Sequence, residues 1–165
     1  MKIGIISDTH DHHEHTLKAV EIFKEQKVGH ILHAGDMVSP FTAKAFADVD
    51  GAKFTAVFGN NEGEKVLLKQ VVEEIGGEIY DYAYTGRIDG RRVLLSHWPD
   101  LVEDVAVGGR FDLIVYGHTH EQDIRQVGTS LVVNPGEATD WLSGRSEVVV
   151  VDTEDMSFER ISLKA

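Results

Sequence analysis

The sequence predicts an α/β fold in four layers, an αββα sandwich of two packed mixed sheets with helices outside. Three observations carry that reading. The first half alternates short apolar runs with helically spaced ones, the order of a parallel sheet with crossover helices. The second half is richer in strands and opens on Asp89-Gly90, a strong hairpin signal. Polar motifs follow the apolar runs, and in such folds functional residues gather beyond the carboxyl ends of strands.

The elements follow in order. Lys2 to Ile6 reads as a short apolar strand. His15 to Lys27 carries Leu17, Val20, Ile22 and Phe23 at helical spacing. Val28 to Leu32 is a second strand, and Pro40 to Ala47 a short helix with Phe41, Ala45 and Phe46 on one side. Ala52 to Phe58 is a third strand. Glu64 to Ile75 is a helix, ended by Gly76-Gly77. Tyr82 to Ile88 and Arg91 to Leu95 form the hairpin. Asp100 to Val107 is a short helix, and Leu113 to Tyr116 a buried strand. Asp123 to Val127, Ser130 to Val133, Glu147 to Val151 and Phe158 to Leu163 complete the strands.

Length and composition bound the function. A chain of 165 residues suits one domain, residues 1–165, with a substantial core. No apolar run approaches the roughly eighteen residues of a membrane span. The first apolar stretch, Ile3 to Ile6, is too short for a signal peptide, so a cytoplasmic protein is expected. The chain has no cysteine, which excludes disulfides and thiol catalysis. Its formal net charge of −12 repels a nucleic-acid backbone, so duplex nucleic acid is not an expected partner. Bound divalent cations would offset that charge locally and admit a small anionic substrate.

The chemistry lies in five short segments: Asp8-Thr9-His10, Gly35-Asp36, Gly59-Asn60-Asn61-Glu62, Ser96-His97 and Gly117-His118-Thr119-His120. Each has an ordinary reading in isolation. Asp8 can cap a helix, Gly-Asp and Gly-Asn are common in turns, and a lone His97 is usually a satisfied histidine. Two histidines at i, i+2 after a buried strand are less easily explained by packing. All five at strand ends of one chain supply carboxylate, amide and imidazole ligands for divalent metals. This is the composition of a two-metal hydrolytic site, with one carboxylate able to bridge.

In this order the motifs resemble the signature of the calcineurin-like metallophosphoesterases. The short length, the Gly-Asn-Asn variant and the Asn134-Pro135-Gly136 loop are similar to the small prokaryotic YfcE-type phosphodiesterases. The resemblance runs over nearly the whole chain. It implies an αββα sandwich with a dinuclear centre of Mn²⁺ or Ni²⁺, with Co²⁺, Fe or Zn²⁺ as alternatives. By matching motif, Asp8, His10, Asp36 and His120 would hold one ion. Asp36, Asn60, His97 and His118 would hold the other, with Asp36 as the bridge. Asp36, Asn60 and His97 are the residues expected to carry catalysis. The implied reaction is hydrolysis of a small, nucleotide-derived or other phosphate diester by in-line attack of a metal-bridging hydroxide. Two alternatives stand beside it: a phosphomonoesterase on the same site, and a non-catalytic module like the related retromer subunit. The latter predicts lost ligands and a large exposed apolar surface. A homodimer is left open.

Two departures from the superfamily pattern narrow the substrate. Where many phosphatases read Gly-Asn-His, this chain has Asn61, and no Arg follows Gly35-Asp36 in Met37-Val38-Ser39-Pro40. Both argue against a protein phosphatase and leave no general acid identified. His12, His13 and His15 are expected to be solvated residues at a helix start. Trp98 reads as a partly buried packing residue, with stacking on a substrate ring as its functional alternative.

Overall fold

The structure is a computed structural model that describes residues 1–49 and 51–164. The predicted two-sheet architecture is present. Strands β1 (Lys2–Ile6), β2 (His30–His33), β3 (Lys53–Val57) and β4 (Glu78–Tyr80) are parallel neighbours. β10 (Glu147–Asp152) joins β1 antiparallel, and β11 (Phe158–Ser162) closes that edge, giving the order β11-β10-β1-β2-β3-β4. The second sheet runs β5-β6-β7-β9-β8, from β5 (Ala83–Ile88), β6 (Arg91–Ser96), β7 (Leu113–Val115), β8 (Asp123–Val127) and β9 (Ser130–Asn134). β6, β7 and β9 are parallel, while the β5–β6 and β8–β9 hairpins are antiparallel.

Side-chain alternation explains the layering. Ile3 and Ile5 of β1, Val149 and Val151 of β10, Leu113 and Val115 of β7 and Leu131 and Val133 of β9 interlock between the sheets. Val148 and Val150 point the other way, onto the outer layer that contains Ala19, Phe23, Ala43, Leu68 and Val72. Those residues belong to α1 (His13–Glu25), α2 (Pro40–Ala45) and α3 (Lys65–Glu74). On the opposite face, α4 (Val102–Val107) covers Ile114 and Val132 with Val102 and Ala106. Among the described residues, no helix is long and apolar enough to cross a membrane.

Several boundaries differ from the sequence reading. α1 starts two residues earlier than expected because His12 caps it: the His12 Nδ1 accepts from the His15 N–H at 3.3 Å. α4 starts at Val102 rather than Asp100, since Pro99 to Leu101 form the turn that enters it. β4 was not expected. Gly76-Gly77 end α3 as predicted, with the Gly77 N–H donating to the Val72 carbonyl at 2.8 Å. The chain then drops directly into three residues of edge strand.

Candidate metal centre

The seven candidate ligands converge where the carboxyl ends of strands from both sheets meet. Asp8 and His10 follow β1, Asp36 follows β2, and Asn60 follows β3. His97 follows β6, and His118 and His120 follow β7. The loops are tied by backbone bonds: Asp8 N–H to the Gly35 carbonyl at 3.0 Å, His10 N–H to the Asp36 carbonyl at 3.0 Å, and Gly117 N–H to the His97 carbonyl at 3.1 Å. Asp8, His10, Asp36, His118 and His120 all have positive φ, between 40° and 70°. Non-glycine residues rarely adopt that region, and it persists where the surroundings over-determine it.

Two donor groups share one carboxylate. In the first, Asp8, His10, Asp36 and His120 offer ligand atoms that all lie within 4.8 Å of one another. The His10 Nε2 stands 3.6 Å from Asp36 Oδ2, and the His120 Nε2 stands 3.4 Å from Asp8 Oδ1. In the second, Asn60 Oδ1 lies 2.9 Å from both His97 Nε2 and His118 Nδ1. The His97 Nε2 also stands 3.7 Å from Asp36 Oδ1. One Asp36 oxygen therefore faces each group.

The donor chemistry fits cations. The His97 Nδ1–H donates to the Ala34 carbonyl at 2.8 Å, which leaves a lone pair on Nε2, aimed at the Asn60 carbonyl. The His120 Nδ1–H donates to Glu137 Oε2 at 3.1 Å, which likewise leaves Nε2 as a ligand atom. Acceptors crowded against acceptors need a positive partner. Asp8 Oδ1 is buried with no hydrogen-bond partner, an orphan of the kind an ion would satisfy. Burial pushes the Asp8 carboxyl up to about 7, against the opposing bonds from the Ser7 hydroxyl and the His118 N–H and the charge of His120. Burial also raises Asp36, but the Asn61 backbone and side-chain amides and the imidazoles of His97 and His10 outweigh it and hold the carboxyl below its usual range. Burial lowers both His10 and His97, which favours the neutral imidazole that binding a metal would require.

The motif glycines have a spatial reason. A Cβ on Gly59 would sit 2.1 Å from Asp36 Oδ1, and one on Gly117 would sit 2.1 Å from Ser7 Oγ and 2.8 Å from Asp8 Oδ2. Any larger residue would displace the candidate ligands.

The supporting roles of three residues were not read from the sequence, although Glu62 and Asn134 lie in its motifs. Glu62 accepts from the Asp36, Gly59 and Val38 N–H groups at 2.9, 2.8 and 2.7 Å, clamping two ligand loops together. Asn134 donates to the Gly117 carbonyl at 3.0 Å and to Thr119 Oγ1 at 2.9 Å, fixing the loop that carries His118 and His120. Glu137 orients His120. Glu137 also lies just beyond a strand end, as the ligands do, and that position was its one available signal.

Asn61 and Trp98 have defined settings beside these groups, and the expectation for His15 needs correction. Asn61 lies against Asp36: its backbone N–H and its side-chain Nδ2 donate to the two Asp36 oxygens, each at 2.8 Å. His15 is not a solvated residue. Its Nδ1 lies 2.7 Å from the Ala138 carbonyl and 2.9 Å from Ser146 Oγ, and its ring stacks on His12 at 3.8 Å. Trp98 packs beside the second group, 4.8 Å from the His118 ring and 5.3 Å from that of His97.

Fold and site together define a metallophosphoesterase, and the chain belongs to the calcineurin-like phosphoesterase superfamily, whose domain model matches residues 1–156. It is similar to Phosphodiesterase MJ0936 of Methanocaldococcus jannaschii, with 38% identity over 167 residues covering 99% of this chain and 100% of that protein. The solved structure of a novel archaeal phosphodiesterase superposes with a TM-score of 0.92 at 37% identity, over 98% of this chain and 99% of that one. YfcE, a phosphoesterase from E. coli, shares the fold with a TM-score of 0.69 at 20% identity, over 99% of this chain and 100% of that one.

Proposed function

We propose that this chain hydrolyses small phosphate diesters at a dinuclear centre held by Asp8, His10, Asp36, Asn60, His97, His118 and His120. The coarser statement, a metal-dependent phosphodiesterase, rests on family membership and on the full-length phosphodiesterase relative. The observation that carries the two-ion reading is Asp36, whose Oδ2 faces His10 at 3.6 Å and whose Oδ1 faces His97 at 3.7 Å.

Two bound cations would supply Lewis acidity and a hydroxide near neutral pH, for in-line attack on phosphorus. The chain's own residues set the geometry around them. Asn61 and Glu62 fix the bridging carboxylate and its backbone, so its two oxygens keep their separate directions. Asn60 turns its carbonyl toward His97 and His118, which leaves its amide N–H₂ to meet a phosphoryl oxygen. Ala34 and Glu137 hold the tautomers of His97 and His120. Mn²⁺ or Ni²⁺ suits this mixed carboxylate, amide and imidazole set, as do Co²⁺, Fe and Zn²⁺.

No titratable group stands at position 61, and the amide there is spent on Asp36. A monoester dianion with a poor leaving group needs a proton donor, whereas an activated aryl diester needs it less. The protein is therefore expected to prefer aryl diesters. The test is kcat/KM for matched p-nitrophenyl mono- and diesters on metal-loaded protein. A preference for the monoester would favour the phosphomonoesterase reading, and no turnover of either would favour a binding module.

A further inference from the structure

The chain has two tryptophans, and both lie against candidate ligand histidines. Trp98 flanks the second donor group. Trp141 flanks the first: its ring lies 6.3 Å from that of His10 and 5.9 Å from that of His12. They thus stand one beside each group that shares Asp36. Trp141 is 62% exposed, although a large indole at a loop tip gains more from burial.

The loop under Trp141 is held firmly. Glu137 Oε1 accepts from the Leu142 N–H at 2.9 Å, the Ser143 N–H at 2.6 Å and the Ser143 hydroxyl at 2.8 Å. Glu137 Oε2 accepts from the Thr139 hydroxyl and from His120. On the outside, Lys164 Nζ pairs with Asp140 at 2.8 Å and donates to the Gly144 carbonyl at 2.8 Å. The carboxylate that orients a ligand histidine therefore also seats the tryptophan. An exposed ring on an anchored loop beside a reaction centre is a preorganised contact surface.

Building on the phosphodiesterase reading, we propose that Trp141 forms an aromatic subsite, which stacks the planar ester arm of an aryl or nucleoside phosphate diester. Trp98 offers a second ring beside His97 and His118 of the other donor group. A glycerol-type or other alkyl arm would gain little from either face. The nearby cavity of about 340 Å³ beside His120 does not compete for an anionic ester, because Glu121, Glu137 and Glu147 line it against one Arg145.

The test uses metal-loaded protein and two readouts. In Trp98→Phe, Trp141 is the sole tryptophan. Titrating the Zn²⁺-loaded variant with diphenyl phosphate is expected to quench its fluorescence saturably, while diethyl phosphate is not. In Trp141→Ala, the Ki of diphenyl phosphate against bis(p-nitrophenyl) phosphate hydrolysis is expected to rise about tenfold relative to that of diethyl phosphate, as expected for one stacked ring. Trp141→Phe is expected to restore most of the difference. Equal changes for both inhibitors, or no saturable quench, would overturn the subsite. Failure of metal-loaded wild type to hydrolyse any diester would instead overturn the phosphodiesterase reading, and the quench would still report on Trp141.

Discussion

Replacing Glu137 by Gln tests whether the outer carboxylate sets the state of a ligand. Oε1 accepts from two backbone N–H groups and one hydroxyl, and a backbone N–H cannot turn round to accept. The new amide must therefore keep its oxygen on that side and present its NH₂ to Thr139 and His120. The His120 Nδ1 would then have to accept, which moves the imidazole proton to Nε2. That atom stands 3.4 Å from Asp8 Oδ1 and 3.3 Å from His10 Nε2, where a lone pair is needed. Losing an outer partner of a metal-bound histidine typically costs about 10–100-fold in metal affinity or activity. Calorimetric titration with Mn²⁺ is expected to show a loss of this size in the Glu137→Gln protein. Folding should survive at neutral pH, since the Oε1 bonds remain. Burial opposes ionisation of Glu137, but bonds from Thr139, Ser143 and His120 hold it down to about 2 from 4.5. Its charge thus stabilises the fold above about pH 4.5, and that contribution is lost as pH falls toward 2. Unchanged Mn²⁺ affinity in folded Glu137→Gln would refute the tautomer argument.

Two further outcomes follow from packing. In Gly59→Ala the new methyl would meet Asp36 Oδ1 at 2.1 Å, so activity is expected to fall about 100-fold with the metal affinity, measured by titration and turnover. His30, buried against Thr55, is lowered by burial from 6.5 to about 4. The unfolded chain takes up a proton that the fold refuses. Stability should therefore drop as pH falls through that window, by up to about 1.4 kcal/mol per pH unit for this group. Urea midpoints of metal-loaded wild type and His30→Gln should diverge between those pH values, and parallel profiles would contradict the assignment.

The layers were legible because alternation and strand-end punctuation are local signals. β1, β10, β7 and β9 are buried on both faces and read as apolar runs, and Asp89-Gly90 joins Ile88 to Arg91 as predicted. β4 was missed because three residues are too few to show alternation. The early start of α1 was missed because a histidine ring rarely serves as the cap. The seven candidate ligands could be read because each sits in a short motif after a strand. Glu62, Asn134 and Glu137 could not be placed so easily, since their roles exist only once loops distant in sequence meet. The bonds from Asn61 to Asp36 were not legible for the same reason, since they too form only when the two loops meet.

Metal content and turnover read on one sample test the bridging role of Asp36 most directly. Protein stripped by chelator and reconstituted with Mn²⁺ is expected to hold two ions per chain and to hydrolyse bis(p-nitrophenyl) phosphate only when loaded. Asp36→Asn is expected to retain at most one ion and to lose nearly all turnover. Full turnover by metal-free wild type, or a single ion per chain in fully active protein, would contradict a two-ion centre built on Asp36.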